Sequence, residues 1–223
     1  MLSLDSINRA EVLRYMGFRG NAPDKSFTQR IDALEQELIK AAVPRLVWRM
    51  EELVRCERGL YAGGLRLSGR DIEAHLDGCS HAVIMAATLS IEADRLIDRA
   101  QSRSLADALA LDALGSAGIE QICGKAEDII KNQLPEKYMT WRFSPGYGDF
   151  PIDIQKSLAD ILDAGRRIGL TVTDSCLMIP RKSVTAVIGV SDRPLPEKRR
   201  GCLYCKMRDK CNFRKNGVRC TDA

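Results

Sequence analysis

The residues best suited to chemistry lie in one short stretch, residues 142–151, which reads RFSPGYGDFP. Arg142 carries a planar and permanently charged guanidinium, whose N–H groups can bind a carboxylate or a phosphate in a bidentate manner. Pro145 and Gly146 predict a tight turn, and a turn just before a helix leaves backbone N–H groups facing an anion. Tyr147 adds a ring for stacking and a hydroxyl. These residue types are typical of a loop that holds an anionic small molecule.

A purely structural interpretation of the same stretch competes with the ligand loop, and the residue types alone favour it. In this alternative Pro145 and Gly146 form a type II turn, Tyr147 packs on the core, and Arg142 bridges to Asp149 at the surface. Asp149 is also a candidate cap for the helix that follows. The two interpretations differ in what Arg142 and Tyr147 contact.

A long helix is predicted before this loop, from a cap at Ser104 to about Leu134. Its middle carries the small residues GSAG at positions 115–118. Each glycine costs about 1 kcal/mol relative to alanine inside a helix, so the cluster indicates close approach by another element or a ligand. Tight packing against a sheet is the favoured explanation. Glu120 follows almost immediately on the same helix, next to this cluster of small residues.

A second group of reactive side chains lies near the C-terminus. Neighbouring Lys and Arg lower thiol pKa values, and four thiolates can bind zinc or an iron-sulfur cluster. The spacing contains one CxxC pair and does not decide between these metals, and reactive cysteines without a metal are the alternative. The predicted metal ligands are Cys202, Cys205, Cys211 and Cys220.

Three further metal-binding residue types occur close together, at His75, Cys79 and His81. The two histidines are six residues apart across a predicted helix-strand turn and lack a firm ligand geometry. Ordinary structural roles are therefore expected for them.

Composition and hydropathy narrow the class of protein. The chain has 223 residues, of which 45% are hydrophobic and 29% charged, as in a soluble globular protein with one sizeable domain, or with one domain and a small appendage. Its N-terminus lacks the apolar segment of a signal peptide, and no apolar run approaches the roughly 18 residues that span a bilayer. We therefore expect a cytoplasmic protein with no membrane partner.

The charge of the chain is unevenly distributed. The net charge is +4, yet nine Lys or Arg residues and only two acids lie between Glu197 and Arg219. The body of the protein is therefore mildly acidic and the tail strongly basic. This balance does not indicate a nucleic-acid partner, whereas a basic tail suits docking to an acidic protein.

The helices and strands that must position these residues are predicted from the spacing of apolar residues along the chain. Apolar spacing predicts helices over residues 5–16 and 27–44, resuming over residues 46–53, with a brief helix at residues 71–76 and a further one over residues 151–169. The run HAVIMAATLS, residues 81–90, predicts a strand buried on both faces. Residues 170–180 and 183–191 alternate at period two and predict two adjacent antiparallel strands.

These elements predict an α+β fold, with helices around a small antiparallel or mixed sheet and a Cys-rich C-terminal tail. We divide the chain into an N-terminal helical segment (residues 1–60), an α+β domain (residues 61–192) and a basic Cys-rich tail (residues 193–223). The linker into the tail is the Pro-containing stretch around residues 192–196.

The order of these motifs resembles the reactivation domain of cobalamin-dependent methionine synthase. That family carries an Arg-x-x-x-Gly-Tyr loop after a long helix, and later a Thr-(Glu/Asp)-Ser segment, a Met-x-Pro turn and a Ser-Val strand. The resemblance covers about residues 105–192. The matching positions are Arg142, Gly146, Tyr147, Thr173, Asp174, Ser175, Met178, Pro180, Ser183 and Val184.

The resemblance implies a binding site for S-adenosylmethionine. By analogy with the family, Arg142 holds the carboxylate of the cofactor and Glu120 contacts the cofactor from the helix. Tyr147 lines the side that faces the corrinoid and is the candidate catalytic residue. Ser144, Pro145 and Gly146 shape the loop and complete the predicted cofactor-binding set.

The resemblance also implies a function and partners. We expect a freestanding factor that reactivates a cobalamin-dependent methyltransferase, most simply methionine synthase, by reductive methylation with S-adenosylmethionine. The cobalamin would be held by a separate corrinoid-binding methionine synthase polypeptide, and the electron would come from a flavodoxin or ferredoxin. Reactivation of another corrinoid methyltransferase is a further possibility.

A function of a different class is also compatible with the sequence. In this alternative the protein is not an enzyme: the tail binds a metal, and the body is a scaffold or electron-transfer module for a corrinoid protein. Iron, zinc and sulfide analysis of the purified protein would distinguish a metal-bearing tail from one without metal.

Overall fold

A computed structural model describes residues 2–18 and 23–195 of the chain. Its helices are α1 (Arg9–Tyr15), α2 (Lys25–Ala41), α3 (Arg70–His75), α4 (Ile91–Gln101), α5 (Leu105–Gln133), α6 (Ile154–Ile161) and α7 (Ala164–Ile168). Its strands are β1 (Arg45–Cys56), β2 (Gly59–Ala62), β3 (Leu65–Arg66), β4 (His81–Thr88), β5 (Tyr138–Met139), β6 (Thr171–Val172), β7 (Met178–Ile179) and β8 (Ser183–Ser191). The predicted α+β class is confirmed.

Six strands form one antiparallel sheet in the order β3-β2-β1-β4-β8-β5. Strand β4 lies between the two long strands, with Met85 opposite Trp48 of β1 and Ala186 of β8. All but the first of its residues are buried. The prediction of a strand buried on both faces is therefore confirmed, and its small and β-branched residues suit packing between two layers.

The two faces of β4 belong to two different cores. Val83, Met85 and Ala87 face the layer that contains α1, α2, α4 and α5, whereas the alternate residues Ala82, Ile84 and Ala86 face the layer of α3, α6 and α7. The sheet is therefore the middle layer of a three-layer structure.

Helix α5 extends over 29 residues, as its sequence predicts, and Ser104 caps it by accepting a hydrogen bond from the N–H of Asp107 at 3.2 Å. Its small residues allow close packing. A Cβ at Gly118 would lie 3.3 Å from Leu4, and one at Gly115 would lie 3.0 Å from the aliphatic stem of Lys182. The small residues therefore allow close packing, but the residues that approach these two glycines most closely are Leu4, which precedes α1, and Lys182, which precedes β8, and not residues of the strands themselves.

The predicted helix over residues 46–53 is wrong, because this segment forms the long strand β1. Pro44 ends the preceding helix and prevents its continuation. Residues 45–52 pair with β4 along its whole length, and residues 53–56 pair with β2. The backbone of the buried strand β4 needs a partner on each side, and this long-range pairing overrides the local helical spacing.

The predicted pairing of residues 170–180 with residues 183–191 is also wrong. The first segment folds back on itself as the two-stranded hairpin of β6 and β7, with Thr171 opposite Ile179. Strand β8 pairs instead with β4 and β5. The predicted helix over residues 151–169 is divided into α6 and α7 at Asp163, whose φ is +50°, and it ends at Gly169 in a left-handed conformation, as predicted.

In the described part of the chain, none of the helices is long and apolar enough to cross a membrane. The four cysteines predicted to bind a metal lie at positions beyond residue 195, outside the described residues. Within residues 2–18 and 23–195 there is no cluster of three or more His, Cys, Asp or Glu side chains arranged to hold a metal ion.

Candidate functional site

The loop at residues 142–151 consists of two consecutive tight turns. The N–H of Tyr147 donates to the carbonyl of Ser144 at 3.1 Å, and Gly146 has a φ of +86°, so Pro145 and Gly146 form the predicted type II turn. The N–H of Phe150 donates to the carbonyl of Tyr147 at 3.0 Å and closes the second turn. Gly146 N–H donates to the Phe150 carbonyl, so the two turns stabilise each other.

Phenylalanines attach both ends of this loop to the sheet and its core. Phe143 exchanges two backbone hydrogen bonds with Val187 of β8, at 2.8 and 2.9 Å. Phe150 is almost fully buried, and its ring centroid lies 6.2 Å from that of Phe143. The loop is therefore held by backbone pairing at its start and by side-chain burial at its end.

Asp149 caps a helix that is distant in sequence. Its carboxylate accepts hydrogen bonds from the N–H groups of Arg70 at 3.0 Å and Asp71 at 2.9 Å, in the first turn of α3. In return, its own N–H donates to the Asp71 carboxylate at 3.2 Å. The expectation that Asp149 caps the following helix is therefore wrong. Asp149 instead accepts hydrogen bonds from N–H groups in the first turn of α3, which have no partner within that helix.

His75 supports the segment that leads into the loop. Its Nε2 lies 2.8 Å from both the carbonyl oxygen of Trp141 and the hydroxyl of Thr140. Its ring also contacts the rings of Trp141 and Phe143, at centroid distances of 4.8 and 4.9 Å. His75 therefore has the structural role that was expected, and it positions the residues on both sides of Arg142.

Arg142 forms ion pairs with two carboxylates of α5, whereas the structural interpretation predicts a bridge to Asp149. One terminal nitrogen of the guanidinium, Nη2, donates to Glu120 and the other, Nη1, donates to Glu127. The two acids are seven residues apart, which places them two helical turns apart on one face. The sequence prediction included Glu120 and missed Glu127, although this spacing was a visible signal.

Cys123 lies on the same face of α5, between the two acids. It is fully buried, and desolvation together with the charges of Glu120 and Glu127 raises the pKa of its thiol to about 12, with Arg142 opposing the shift. The thiol is therefore neutral at physiological pH. The pKa of Arg142 is raised overall: burial lowers it, but the neighbouring anionic groups have the larger combined effect.

Tyr147 lies close enough to this ion-pair cluster to feel its charges. Partial burial raises the pKa of its hydroxyl, the charge of Glu120 raises it further, and the charge of Arg142 opposes the shift. The residue is 57% exposed, so the expectation that it packs on the core is wrong. One ring contact is with Phe143, edge to face at 6.0 Å between centroids. The ring is therefore available for a ligand or a partner, and its hydroxyl is protonated at neutral pH.

A groove of about 720 Å³ opens next to Glu127. It runs between the last turns of α5 and residues 135–141, and Trp141, the neighbour of Arg142, forms part of its wall. The candidate site therefore combines an exposed ring, an arginine paired with two acids and an adjoining groove.

Together, the fold and this site define a class of α+β proteins in which a turn-rich loop and a long helix bring an arginine, two acids and a tyrosine together beside an antiparallel sheet. Residues 74–194 match the family described as "Vitamin B12 dependent methionine synthase, activation domain". The chain belongs to this family, and the resemblance seen in the sequence is confirmed.

The fold is similar to that of a solved structure described as the MetH reactivation domain bound to AdoHcy. The TM-score is 0.64 at 15% sequence identity, and the alignment covers 95% of this chain and 82% of that one. At this identity the similarity establishes the fold alone. No curated protein matches the chain in sequence.

Proposed function

We propose that this protein reactivates a cobalamin-dependent methionine synthase by supporting methyl transfer from S-adenosylmethionine to the corrinoid of its partner. Membership of the activation-domain family supports the proposal. The observation that carries it is the meeting of Arg142, Glu120 and Tyr147 at one site, although Glu120 lies 22 residues before the arginine. A solved relative of the same fold is described as bound to AdoHcy, the product of such a transfer.

The side chains at the site fit the chemistry of S-adenosylmethionine. The Arg142 guanidinium already binds two carboxylates and is 25% exposed on its side chain, so a carboxylate that arrives from solvent can reach it. Glu120 and Glu127 supply negative charge for the ammonium and sulfonium groups. The exposed ring of Tyr147 offers a surface beside them.

In this proposal Arg142 holds the carboxylate end of S-adenosylmethionine, and Glu120 turns from the arginine to the bound molecule. Ser144, Pro145 and Gly146 give the loop a backbone shape that is already fixed by hydrogen bonds. Tyr147 lines the side open to the partner. These groups orient the methyl donor, and orientation alone can supply several orders of magnitude in rate.

The proposed reaction needs one electron and one methyl group, and both come from the reactants. One electron reduces cobalt(II) to cobalt(I), and the methyl group then moves from sulfur to cobalt as a cation equivalent, which leaves S-adenosylhomocysteine. Because the protein contributes position more than acid-base groups, a neutral Tyr147 hydroxyl and a neutral Cys123 thiol are compatible with this role.

The remaining partners are part of the same proposal. The corrinoid is held by a methionine synthase polypeptide, and a flavodoxin or ferredoxin supplies the electron. The basic tail would dock this acidic carrier, and an iron-sulfur cluster or zinc at Cys202, Cys205, Cys211 and Cys220 would serve electron relay or local structure. The cytoplasmic location expected from the sequence stays a prediction.

Calorimetry with S-adenosylmethionine tests the proposed site. We expect Arg142→Ala to weaken binding at least tenfold, because the carboxylate loses its cationic partner. Arg70→Ala is the control, since Arg70 lies near the same loop with a side chain that is 93% exposed. Equal affinity of wild type and Arg142→Ala would exclude the loop from the binding site.

A further inference from the structure

The chain leaves the described fold at the groove beside the end of α5. Asp192 fixes this exit, because its carboxylate pairs with Lys137 and accepts a hydrogen bond from the Ser80 hydroxyl at 3.3 Å. Three residues later, Leu195 packs against Gly78, where an added Cβ would lie 3.6 Å from its side chain. Leu195 also forms part of the groove wall. The last described residue therefore lies in the groove, and the basic tail continues from there.

The outer edge of β5 lies along the same groove. β5 is the last strand of the six-stranded sheet, and within residues 23–195 no further strand pairs with it. The N–H of Thr140 donates to Gly189 at 2.9 Å, so by the alternation of an antiparallel pair the neighbouring Met139 directs its N–H and C=O away from β8. Met139 lines the groove and offers one donor and one acceptor to an extended segment there.

The sequence at the exit favours an extended segment. Arg193 and Leu195 each precede a proline, and a residue before proline is biased toward extended backbone. Residues 196–200, which read PEKRR, reach at most about 18 Å when extended. The α5 residues on the groove wall lie within residues 127–131, which cover little more than one helical turn of about 5.4 Å. The segment is therefore long enough to pass the end of α5 inside the groove.

The groove and this segment carry opposite charge. Asp128, Glu136 and Lys131 are exposed on the wall and form no ion pair with another described residue, which leaves two acids against one base, a net charge of −1. The other charged side chains of the wall are already in ion pairs. Residues 197–200 contain one acid and three bases, a net charge of +2. Charge therefore favours this segment over an acidic one.

We propose that residues 196–200 of this chain bind in the groove as an extended segment paired with the outer edge of β5. The inference does not depend on the proposed binding of S-adenosylmethionine. The docked segment lies beside Trp141 and brings Cys202, two residues further on, to the side of the molecule that carries the candidate site. The later basic residues of the tail, within residues 206–219, are left for an acidic partner.

Amide exchange of the full-length protein, followed by nuclear magnetic resonance, tests the pairing at Met139. The variant K198E/R199E/R200E changes the charge of the segment from +2 to −4 and should release it. The N–H of Met139 should then exchange at least tenfold faster than in wild type. The N–H of Thr140, which is bonded within the sheet, should exchange at the same rate in both proteins.

A matched control carries the same change of charge further along the tail. K206E/R208E/K210E also replaces three bases with acids, outside the proposed segment, and should leave the exchange of Met139 as in wild type. The groove side is tested by D128K/E136K, which should also speed this exchange. Combining D128K/E136K with K198E/R199E/R200E should restore slow exchange, because the two charges are exchanged between the partners.

Cross-linking identifies the chain that supplies the segment. A carbodiimide, which joins a carboxylate to an amine, should link Lys198 to Asp128 or Glu136 in wild type. In a mixture of unlabelled and nitrogen-15 protein, mass spectrometry should find these links within single chains.

Three results would overturn the inference. Exchange of the Met139 N–H at the rate of an unprotected amide in wild type would show that the edge is open. Slow exchange that persists in K198E/R199E/R200E would show that another group covers the edge. Links found only between labelled and unlabelled chains would assign the groove to the tail of a second copy.

Discussion

Asp149 and Asp71 bind each other's backbone: each carboxylate accepts a hydrogen bond from the N–H of the other residue, at 2.9 and 3.2 Å. The pair joins the loop that carries Arg142 and Tyr147 to the start of α3, almost eighty residues earlier in the chain. Since Phe143 pairs with β8 at the other end, the loop is fixed to two separate elements. A binding loop held in this way needs little reorganisation when a ligand arrives.

The cap formed by Asp149 should contribute measurably to stability. Replacing Asp149 with Ala leaves the N–H groups of Arg70 and Asp71 without this acceptor, and we expect a loss of about 1 to 2 kcal/mol in the free energy of unfolding. Urea denaturation measures it. Asp153→Ala is the control, because Asp153 precedes α6 without a side-chain cap bond. Equal stability of the two variants would contradict the assignment of the cap.

A side chain at Gly148 should destabilise the protein, for two separate reasons. Its φ is +56°, and a Cβ would collide with the Asp71 carboxylate. We expect Gly148→Ala to destabilise the protein by about 2 kcal/mol or more, through backbone strain and the loss of the Asp71 contact. Gly64→Ala isolates the strain: Gly64 also has a positive φ, of +81°, but open space around it, so thermal unfolding should show a loss of only about 1 kcal/mol. A Gly148→Ala variant as stable as Gly64→Ala would remove the steric argument.

Elements that depend on local sequence were predictable. The capped helix α5, the buried strand β4 and the type II turn at Pro145 and Gly146 each follow from residues that lie close together in the chain. Of the predicted site, the structure places Arg142 and Glu120 in direct contact and Tyr147 beside them. The roles proposed for these side chains in ligand binding stay predictions.

Features that depend on contacts between distant segments were not predictable. The spacing of apolar residues in residues 46–53 suits a helix, and the pairing with β4 that makes it a strand is a tertiary effect. Likewise, the cap that Asp149 provides for α3 and the pairing of Glu127 with Arg142 join residues 79 and 15 positions apart. The seven-residue spacing of the two acids on α5 hinted at a shared partner but did not identify it.

The buried thiol of Cys123 predicts a pH dependence of stability. Its pKa rises from 9.0 to about 12 on folding, so between these values the unfolded state loses its proton while the folded state keeps it. The unfolded state then binds fewer protons, and stability should fall by about 1.4 kcal/mol per pH unit above about pH 9 from this group alone.

Denaturant unfolding from about pH 8 to about pH 10.5 measures this effect. Stability should decline less steeply in Cys123→Ala than in wild type. Cys56→Ala, at an exposed position of β1, should decline in parallel with wild type. Parallel slopes for all three proteins would show that Cys123 titrates alike in both states.

The ring of Tyr147 should matter more than its hydroxyl. Burial and Glu120 hold its pKa above the ordinary value of 10.0, so the hydroxyl does not act as a base near neutral pH. In a methyl-transfer assay at saturating S-adenosylmethionine, Tyr147→Phe should keep most of the rate, and Tyr147→Ala should lose about tenfold. Neither variant should change stability much, because the residue is 57% exposed. A Phe variant as slow as the Ala variant would assign the function to the hydroxyl.

The most direct measurement mixes the protein anaerobically with a cobalt(II) methionine synthase polypeptide that lacks activation activity of its own, a reductant and S-adenosylmethionine, and follows the absorption spectrum. The account predicts that the methylcobalamin spectrum appears with wild type and with Arg70→Ala, and at least tenfold more slowly with Arg142→Ala at limiting S-adenosylmethionine. A cobalt(II) spectrum that stays unchanged with wild type and every methionine synthase partner would contradict the proposed function.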